Sequence, residues 1–378
     1  MNDFYCAAPW RGLHINPRGD VKTCCAGDPN MLGNLNTQSI EKILHGPIMQ
    51  EIRQSIRQGK PHTYCYNCVQ AERYGRSERD WHNEVNPDFD PALVDDLEHI
   101  PVLVDIRWNT TCNLSCNYCG DKCSSKWADL KKISFKSGIR PYYEQVYDYL
   151  NTHQTHIKEV ALVGGEPLLL KENEQLLDGI PKNCILSLIT NLSVDLENNK
   201  IFQKLKNRKV QWSASFDNIN KQFEYVRHGG NWSQIEKNIK LIAELPGHEI
   251  GVHAVYSVYN ATRLNEFTDW TKEQGFNIHW QSLYQPECLN PLRLGPGIQK
   301  LALLELEKVL NRQDLTVDER DFFEQALSNN YTTTYPSLIK ELQTHINEME
   351  LVYHQDQQGN FNKLWFELVE DVNTNYGR

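Results

Sequence analysis

Cys112-Asn113-Leu114-Ser115-Cys116-Asn117-Tyr118-Cys119-Gly120 spaces three cysteines with three residues between the first pair and two between the second. Three thiolates are one short of a closed four-ligand metal site. Either a fourth ligand comes from elsewhere, Cys123 being the nearest candidate, or one coordination position stays open for chemistry. Thiolates suit zinc or an iron–sulfur cluster, and this compact spacing wraps one centre rather than two.

The setting of that loop decides the fold. It follows a β-branched run at 102–106 through Arg107-Trp108-Asn109-Thr110-Thr111. Similar runs recur at 160–163, 185–189, 210–216, 250–256 and 278–283, separated by helical patterns such as 142–150, 232–245 and 264–274. Strands alternating with helices predict right-handed βαβ units and a parallel sheet over 101–290. In that architecture chemistry sits at the C-terminal ends of the strands, where the cysteine loop begins. From 291 to 378 the pattern is helical, at 299–310, 318–327, 336–351 and 361–372.

A second cysteine group, Cys6, Cys24, Cys25, Cys65 and Cys68, marks residues 1–80 as a separate unit. Asn16-Pro17-Arg18-Gly19-Asp20 is a turn joining short strands at 13–15 and 21–23, and 39–57 has helical spacing. Residues 81–100, polar and proline-bearing, read as a linker. Four well-separated thiolates close a site, so this centre is expected to be saturated, as a structural zinc or a cluster. A unit of this size has little core of its own, and its metal would contribute to folding. Cys24 and Cys25 are adjacent and should face opposite ways on a strand, so one of them serves.

Composition narrows the function classes. The chain has 378 residues, 40% hydrophobic and 23% charged, ordinary for a globular protein. A net charge of -10 argues against a broad phosphate-binding face, so nucleic acid is not an expected partner. The start, MNDFYCAAPW, lacks the pattern of a secretory signal, and no apolar run has the length of a membrane span. Eleven cysteines without such a signal predict a cytoplasmic location and metal ligation rather than disulfides.

CNLSCNYC resembles the C-x3-C-x2-C signature of radical S-adenosylmethionine enzymes, with an aromatic residue, Tyr118, before the last cysteine. The resemblance extends over about 101–285 and implies a partial (β/α)6 TIM-like barrel. It implies that Cys112, Cys116 and Cys119 hold a [4Fe-4S] cluster whose open iron binds S-adenosylmethionine. Reductive cleavage would then give a 5′-deoxyadenosyl radical that takes a substrate hydrogen, with flavodoxin or ferredoxin as external electron donor. Gly164-Gly165-Glu166-Pro167 matches the family segment at the cofactor's amino group, with Glu166 as an acceptor for the amine. Ser187, Asn191, Ser215 and Asp217 match strand-end cofactor positions, Arg227 a carboxylate-binding arginine, and Tyr118 a neighbour of the adenine.

The G-x4-C hairpin ending at Cys24, Leu32-Gly33-Asn34-Leu35 and the closing Cys65-x2-Cys68, with the run to Arg79, resemble a twitch or SPASM domain. That implies a second, auxiliary [4Fe-4S] cluster on Cys6, Cys24, Cys65 and Cys68, here placed before the barrel. Enzymes with such modules often modify ribosomally made peptides by crosslinking, epimerisation or cleavage; a sugar, nucleoside or other small metabolite is the alternative. A two-cluster electron carrier that never cleaves S-adenosylmethionine is the reading from another class. Cys288, just past the sixth strand, is the candidate hydrogen donor to a substrate radical.

Overall fold

The computed structural model describes residues 4–28, 30, 32–72, 77–96, 99–134, 140–283, 285–328 and 337–353. Its strands are β1 (Gly12–Ile15), β2 (Asp20–Lys22), β3 (Gly33–Asn34), β4 (Leu103–Arg107), β5 (Ser115–Cys116), β6 (Glu159–Val163), β7 (Ile185–Thr190), β8 (Val210–Ser215), β9 (Arg227–His228), β10 (His248–Tyr256) and β11 (Ile278–Ser282). The six expected barrel strands β4, β6, β7, β8, β10 and β11 are parallel and stand side by side in chain order. Alternate residues divide the sheet into two faces. Val104, Ile106, Val160, Leu162, Leu186 and Leu188 are buried in the main core, while their neighbours on the other face stay half-exposed.

The sheet does not stop at β4. Strand β1 pairs with it in parallel, Gly12 opposite Leu103 through Ile15 opposite Ile106, and β2 and β3 continue antiparallel. The result is an open nine-stranded sheet in the order β11-β10-β8-β7-β6-β4-β1-β2-β3. Sequence patterning identifies the hairpin but not this docking, because neither β1 nor β4 carries a residue that names its neighbour. Gly19 takes φ +83° in the hairpin turn, a backbone that side-chain-bearing residues avoid.

The helical stretch at 39–57 is two helices, Ile40–Leu44 and Pro47–Arg57. Pro47 lacks the N–H needed to continue the first helix and starts the second instead. The 81–100 stretch is anchored rather than free. Helix Glu78–Glu84 enters it, Trp10 Nε1 donates to Asp96 Oδ1 at 2.6 Å, and Arg57 forms an ion pair with the same carboxylate. Beyond the barrel lie helices Pro296–Leu310, Val317–Ser328 and Ser337–Tyr353; the expected helix at 361–372 lies outside the described residues. No helix among the described residues is long and apolar enough to cross a membrane.

The seam makes a testable demand on stability. Ile15 is fully buried in the core shared by both units. Ile15→Ala is expected to destabilise by about 2–5 kcal/mol, lowering the urea midpoint in one transition common to both units. Two separated transitions in the wild type would show that the seam does not couple them.

Candidate active site

The cysteine loop is held from several sides. Its Ser115–Cys116 pairs antiparallel with Arg227–His228, and Asn117 N–H donates to Val226 O at 2.8 Å. Trp127 Nε1 donates to Cys116 O at 3.0 Å, and Ser124 Oγ to Leu114 O at 2.7 Å. From the C-terminal helix, His345 Nε2 meets Asn117 O at 2.8 Å. Backbone positions, rather than side chains of the loop, carry most of this fixation. The path of the loop is therefore set mainly by its backbone, with Cys112 Sγ also accepting from Leu114 N–H at 3.5 Å.

Cys116 is buried, and Cys112 and Cys119 are half-buried. Asn191 Nδ2 approaches Cys112 Sγ at 3.7 Å and donates to Asn113 Oδ1 at 3.0 Å, which places this expected cofactor residue at the loop. Burial pushes the Cys116 thiol up to about 12, against the pull of the Arg227 guanidinium. Cys119 is raised and the adjacent Cys123 lowered because Cys119 donates a hydrogen bond to it. Soft sulfur donors with amide groups around them fit an iron–sulfur cluster, whose loading must expel the thiol protons.

Gly164 and Gly165 shape the loop from below. A Cβ on Gly165 would lie 2.3 Å from Thr111 O, and Gly164 has φ +132°. Close approach of β6 to the segment entering the cysteine loop is what demands glycine here. Pro167 then opens a short helical turn, Pro167–Leu169. The Glu166 carboxylate is fully buried and committed. It accepts from Thr190 Oγ1 at 2.7 Å, Asn191 N at 2.8 Å and Leu168 N at 3.1 Å. It thereby ties the ends of β6 and β7 together, where the resemblance sets the cofactor's amine. Burial raises its carboxyl to about 7, against these three donors.

Tyr118, Asp217 and Arg227 converge. Tyr118 Oη donates to Asp217 Oδ2 at 2.6 Å, and Arg227 reaches both Asp217 oxygens at 3.2 Å. Val255 N–H donates to Asp217 Oδ1 at 2.7 Å, and the Arg227 guanidinium lies 5.4 Å from the Tyr118 ring centre. Desolvation pulls Arg227 down, but Asp217, then Tyr118 and Cys116, hold it above its ordinary value. Sequence placed these three near one cofactor; the structure joins them directly to each other.

Two expected site residues fall elsewhere. Ser187 faces inward but sits opposite Ala161, deep in the sheet, with its hydroxyl on Glu159. Ser215 is on the same face at the level of His253, nearer the strand ends. Cys288 is buried in a separate apolar cluster with Leu289, Leu338 and Leu342, against which Tyr118 packs, and is not among the residues lining the large cavity. Burial raises its thiol to about 11. A pattern of apolar residues in the last helix covers it, which position after a strand cannot reveal.

In the amino-terminal unit Cys6, Cys24, Cys65 and Cys68 line one small pocket. Burial pushes Cys24 up to about 12 and Cys65 up to about 11, with neighbouring thiols adding to the effect. Four thiols around one small pocket suit a cluster rather than a single ion, since among the described residues no three His, Cys, Asp or Glu side chains form a metal-ion site. Cys25 turns the other way and lines the large cavity of about 730 Å³ on the inner face of the sheet. Cys24 and His82 line both spaces, so the wall between them is thin. Sequence reasoning missed the cavity's polar row, although alternate polar residues at 105, 159, 187, 211, 249 and 253 carry its signal.

A family model described as an iron–sulfur cluster-binding domain, SPASM, matches residues 6–69, and the radical SAM superfamily model matches 106–266. The chain thus carries a segment of the radical SAM superfamily at 106–266, preceded by a SPASM domain at 6–69. Its cofactors are S-adenosylmethionine, the [4Fe-4S] cluster of the radical SAM domain and an auxiliary iron–sulfur cluster in the SPASM domain. Among curated proteins, 7-carboxy-7-deazaguanine synthase of Clostridium acetobutylicum is 35% identical over 88 residues, 23% of this chain and 33% of that one. GTP 3′,8-cyclase of Listeria welshimeri is 23% identical over 193 residues, 50% of this chain and 56% of that one. The chain thus spans a third to just over half the length of these relatives. Among solved structures, anSMEcpe with bound AdoMet matches at TM-score 0.41 and 21% identity, covering 61% of this chain and 63% of that one. SuiB of Streptococcus suis bound to S-adenosylmethionine matches at 0.43 and 14%, covering 73% and 61%.

The Asp217–Arg227 pair gives a stability test. Asp217→Asn leaves a buried guanidinium without its counter-charge and is expected to cost about 3–5 kcal/mol in denaturant unfolding. The double change Asp217→Leu with Arg227→Met should cost less than Asp217→Asn alone, because no uncompensated charge remains.

Proposed function

We propose that this chain acts as a radical SAM enzyme and takes a hydrogen from a carbon of a peptide segment that enters the barrel cavity. The observation carrying this reading is a large cavity on the inner face of the sheet, walled by residues of the amino-terminal cysteine unit and of the strand that feeds the cysteine loop. Cys24 and Cys25 line it, and so does Arg107, beside Cys25 on the strand that runs into the cysteine loop. When bound, S-adenosylmethionine and the reduced cluster supply the hydrogen-abstracting radical chemistry. The chain's own part is placement. Cys112, Cys116 and Cys119 would hold the cluster, and the Tyr118–Asp217–Arg227 group and Asn191 would fix the cofactor beside it. The polar inner face of the sheet orients substrate, and the thin wall at Cys24 and His82 sets the auxiliary cluster next to it. A one-electron donor of the flavodoxin or ferredoxin kind is the proposed partner, and a cytoplasmic location the proposed setting.

The nucleotide reading is less well supported. A triphosphate, as in the name of the Listeria relative, calls for several cationic groups. Among the described residues lining the cavity there is one arginine and no lysine, and Arg107 is paired with Asp105 at 3.2 Å.

Reconstituted protein with dithionite and S-adenosylmethionine is expected to form 5′-deoxyadenosine, measured by chromatography. Cys116→Ala should abolish it, whereas Cys123→Ala should retain it; loss in Cys123→Ala alone would favour a closed four-cysteine site. A Cys112/Cys116/Cys119 triple-alanine protein should keep about four irons with matching sulfide in the amino-terminal site. Zinc without sulfide there would overturn the auxiliary-cluster assignment.

A further inference from the structure

We propose that the turn after β7 aims the side-chain N–H of Asn191 at the Cys112 sulfur, so that Asn191, Asn113 and Ser193 together raise the reduction potential of the cluster Cys112 would hold. The inference rests on Cys112 being a cluster ligand and is independent of what the substrate is.

Leu192 adopts φ +54°, a left-handed backbone that side-chain-bearing residues avoid, while its side chain is fully buried in the main core. Such a conformation persists only where its surroundings over-determine it. Here they act from both sides of the turn. Leu192 N–H donates to Thr190 Oγ1 at 3.0 Å, and that hydroxyl and the Asn191 N–H both donate to the Glu166 carboxylate. Asn238, itself buried in helix Trp232–Ala243, donates through Nδ2 to Leu192 O at 2.8 Å and to Val194 O at 2.7 Å.

What this strain produces is the direction of one amide. Ser193 N–H donates to Asn191 Oδ1 at 2.9 Å, and a backbone N–H can only donate. The Asn191 carbonyl therefore faces Ser193 and its NH2 faces the cysteine loop. Asn191 Nδ2 donates to Asn113 Oδ1 at 3.0 Å and toward Cys112 Sγ at 3.7 Å. Asn113 Nδ2 donates to Ser193 Oγ at 2.8 Å, and Ser193 Oγ donates back to Asn191 Oδ1 at 2.7 Å. The three side chains close a ring in which both hydrogens and both lone pairs of the Asn191 amide are used. With no donor to spare, Asn191 acts on the cofactor through the cluster. Leu114 N–H brings a second donor to the same sulfur at 3.5 Å. Hydrogen bonds to a ligating sulfur favour the more negative, reduced state of a cluster and so raise its potential. Asn191 supplies that bond, and Asn113 and Ser193 are positioning residues that hold its direction.

Reconstituted holoenzyme is titrated with dithionite, following the paramagnetic signal that changes when S-adenosylmethionine is added, with iron and sulfide measured in the same preparation. Asn191→Leu, which keeps the shape and removes both side-chain N–H groups, is expected to disfavour reduction of that cluster about tenfold, a shift of about 59 mV to more negative potential. Ser193→Ala should shift it the same way by a smaller factor, and Ser193→Thr, which keeps the hydroxyl, should hold the wild-type value. The auxiliary cluster's potential should stay put in all three, which a general loss of structure would not allow. A wild-type potential in Asn191→Leu carrying its full iron overturns the inference. If Asn191→Leu loads no cluster, Ser193→Ala decides, since it keeps the Asn191 N–H and removes only its restraint. Equal potentials for Ser193→Ala and Ser193→Thr then overturn the inference. Survival of the S-adenosylmethionine-responsive signal in Cys112→Ala would overturn the ligand assignment and this inference with it, whereas the peptide reading of the cavity is decided separately, by substrate.

Discussion

Parallel pairing of Gly12–Ile15 with Leu103–Arg107 is the constraint on which the rest of the molecule depends. Without it β4 would be a barrel edge, with a row of unpaired backbone groups beside the strand that feeds the cysteine loop. With it, the SPASM domain is not a bead on a linker but a continuation of the catalytic sheet. His14 then becomes an inward-facing neighbour of Asp105, and Cys25, Glu78 and Trp81 become walls of the same cavity. Docking on the β4 edge thereby determines which side of the sheet meets the amino-terminal cysteine unit.

The cysteine loop shows how backbone fixation and charge divide the work. Hydrogen bonds from Asn117, Trp127 and Ser124 set the path of the chain, while Asp217 and Arg227 supply a buried ion pair behind Tyr118. A buried ion pair is weak evidence for stability, because desolvation offsets most of the attraction. Its geometry is the more useful product. Asp217 also accepts from Val255 N–H, so the pair links β10 to the end of β8 and to the β5–β9 ribbon that carries Cys116. A shift of any one of these elements would leave a charge or a donor unsatisfied.

Much of this was legible in the sequence. Strand periodicity located six parallel strands to within about two residues, an accuracy usual for strongly patterned elements. Spacing of Cys112, Cys116 and Cys119 carried the family, and the radical SAM and SPASM models agree with it. Long-range contacts were not legible. The residues that donate to Glu166, Thr190 and Asn191, lie on another strand end. The cover over Cys288 comes from Leu338 and Leu342, far along the chain. Cys24 and Cys25 could be told apart only once β2 had a sheet to belong to, since alternation specifies opposite faces but not which face is which.

The inner face of the sheet raises a last physical point. A half-satisfied polar network is costly in a dry interior, and the carboxylates of Glu249 and Glu159 would each be strongly disfavoured there. The arrangement is therefore stable when the cavity is wet, as its volume of about 730 Å³ allows. Radical chemistry has the opposite requirement, because water and stray hydrogen donors must be kept from the reactive carbon. Both conditions are met if substrate itself supplies what water supplied before it entered. A ligand that hydrogen-bonds the polar row replaces those waters without leaving any group unpaired, whereas an apolar ligand of the same size would strand them. Substrate selection and exclusion of water are in this way one requirement, imposed by the polar row of the barrel.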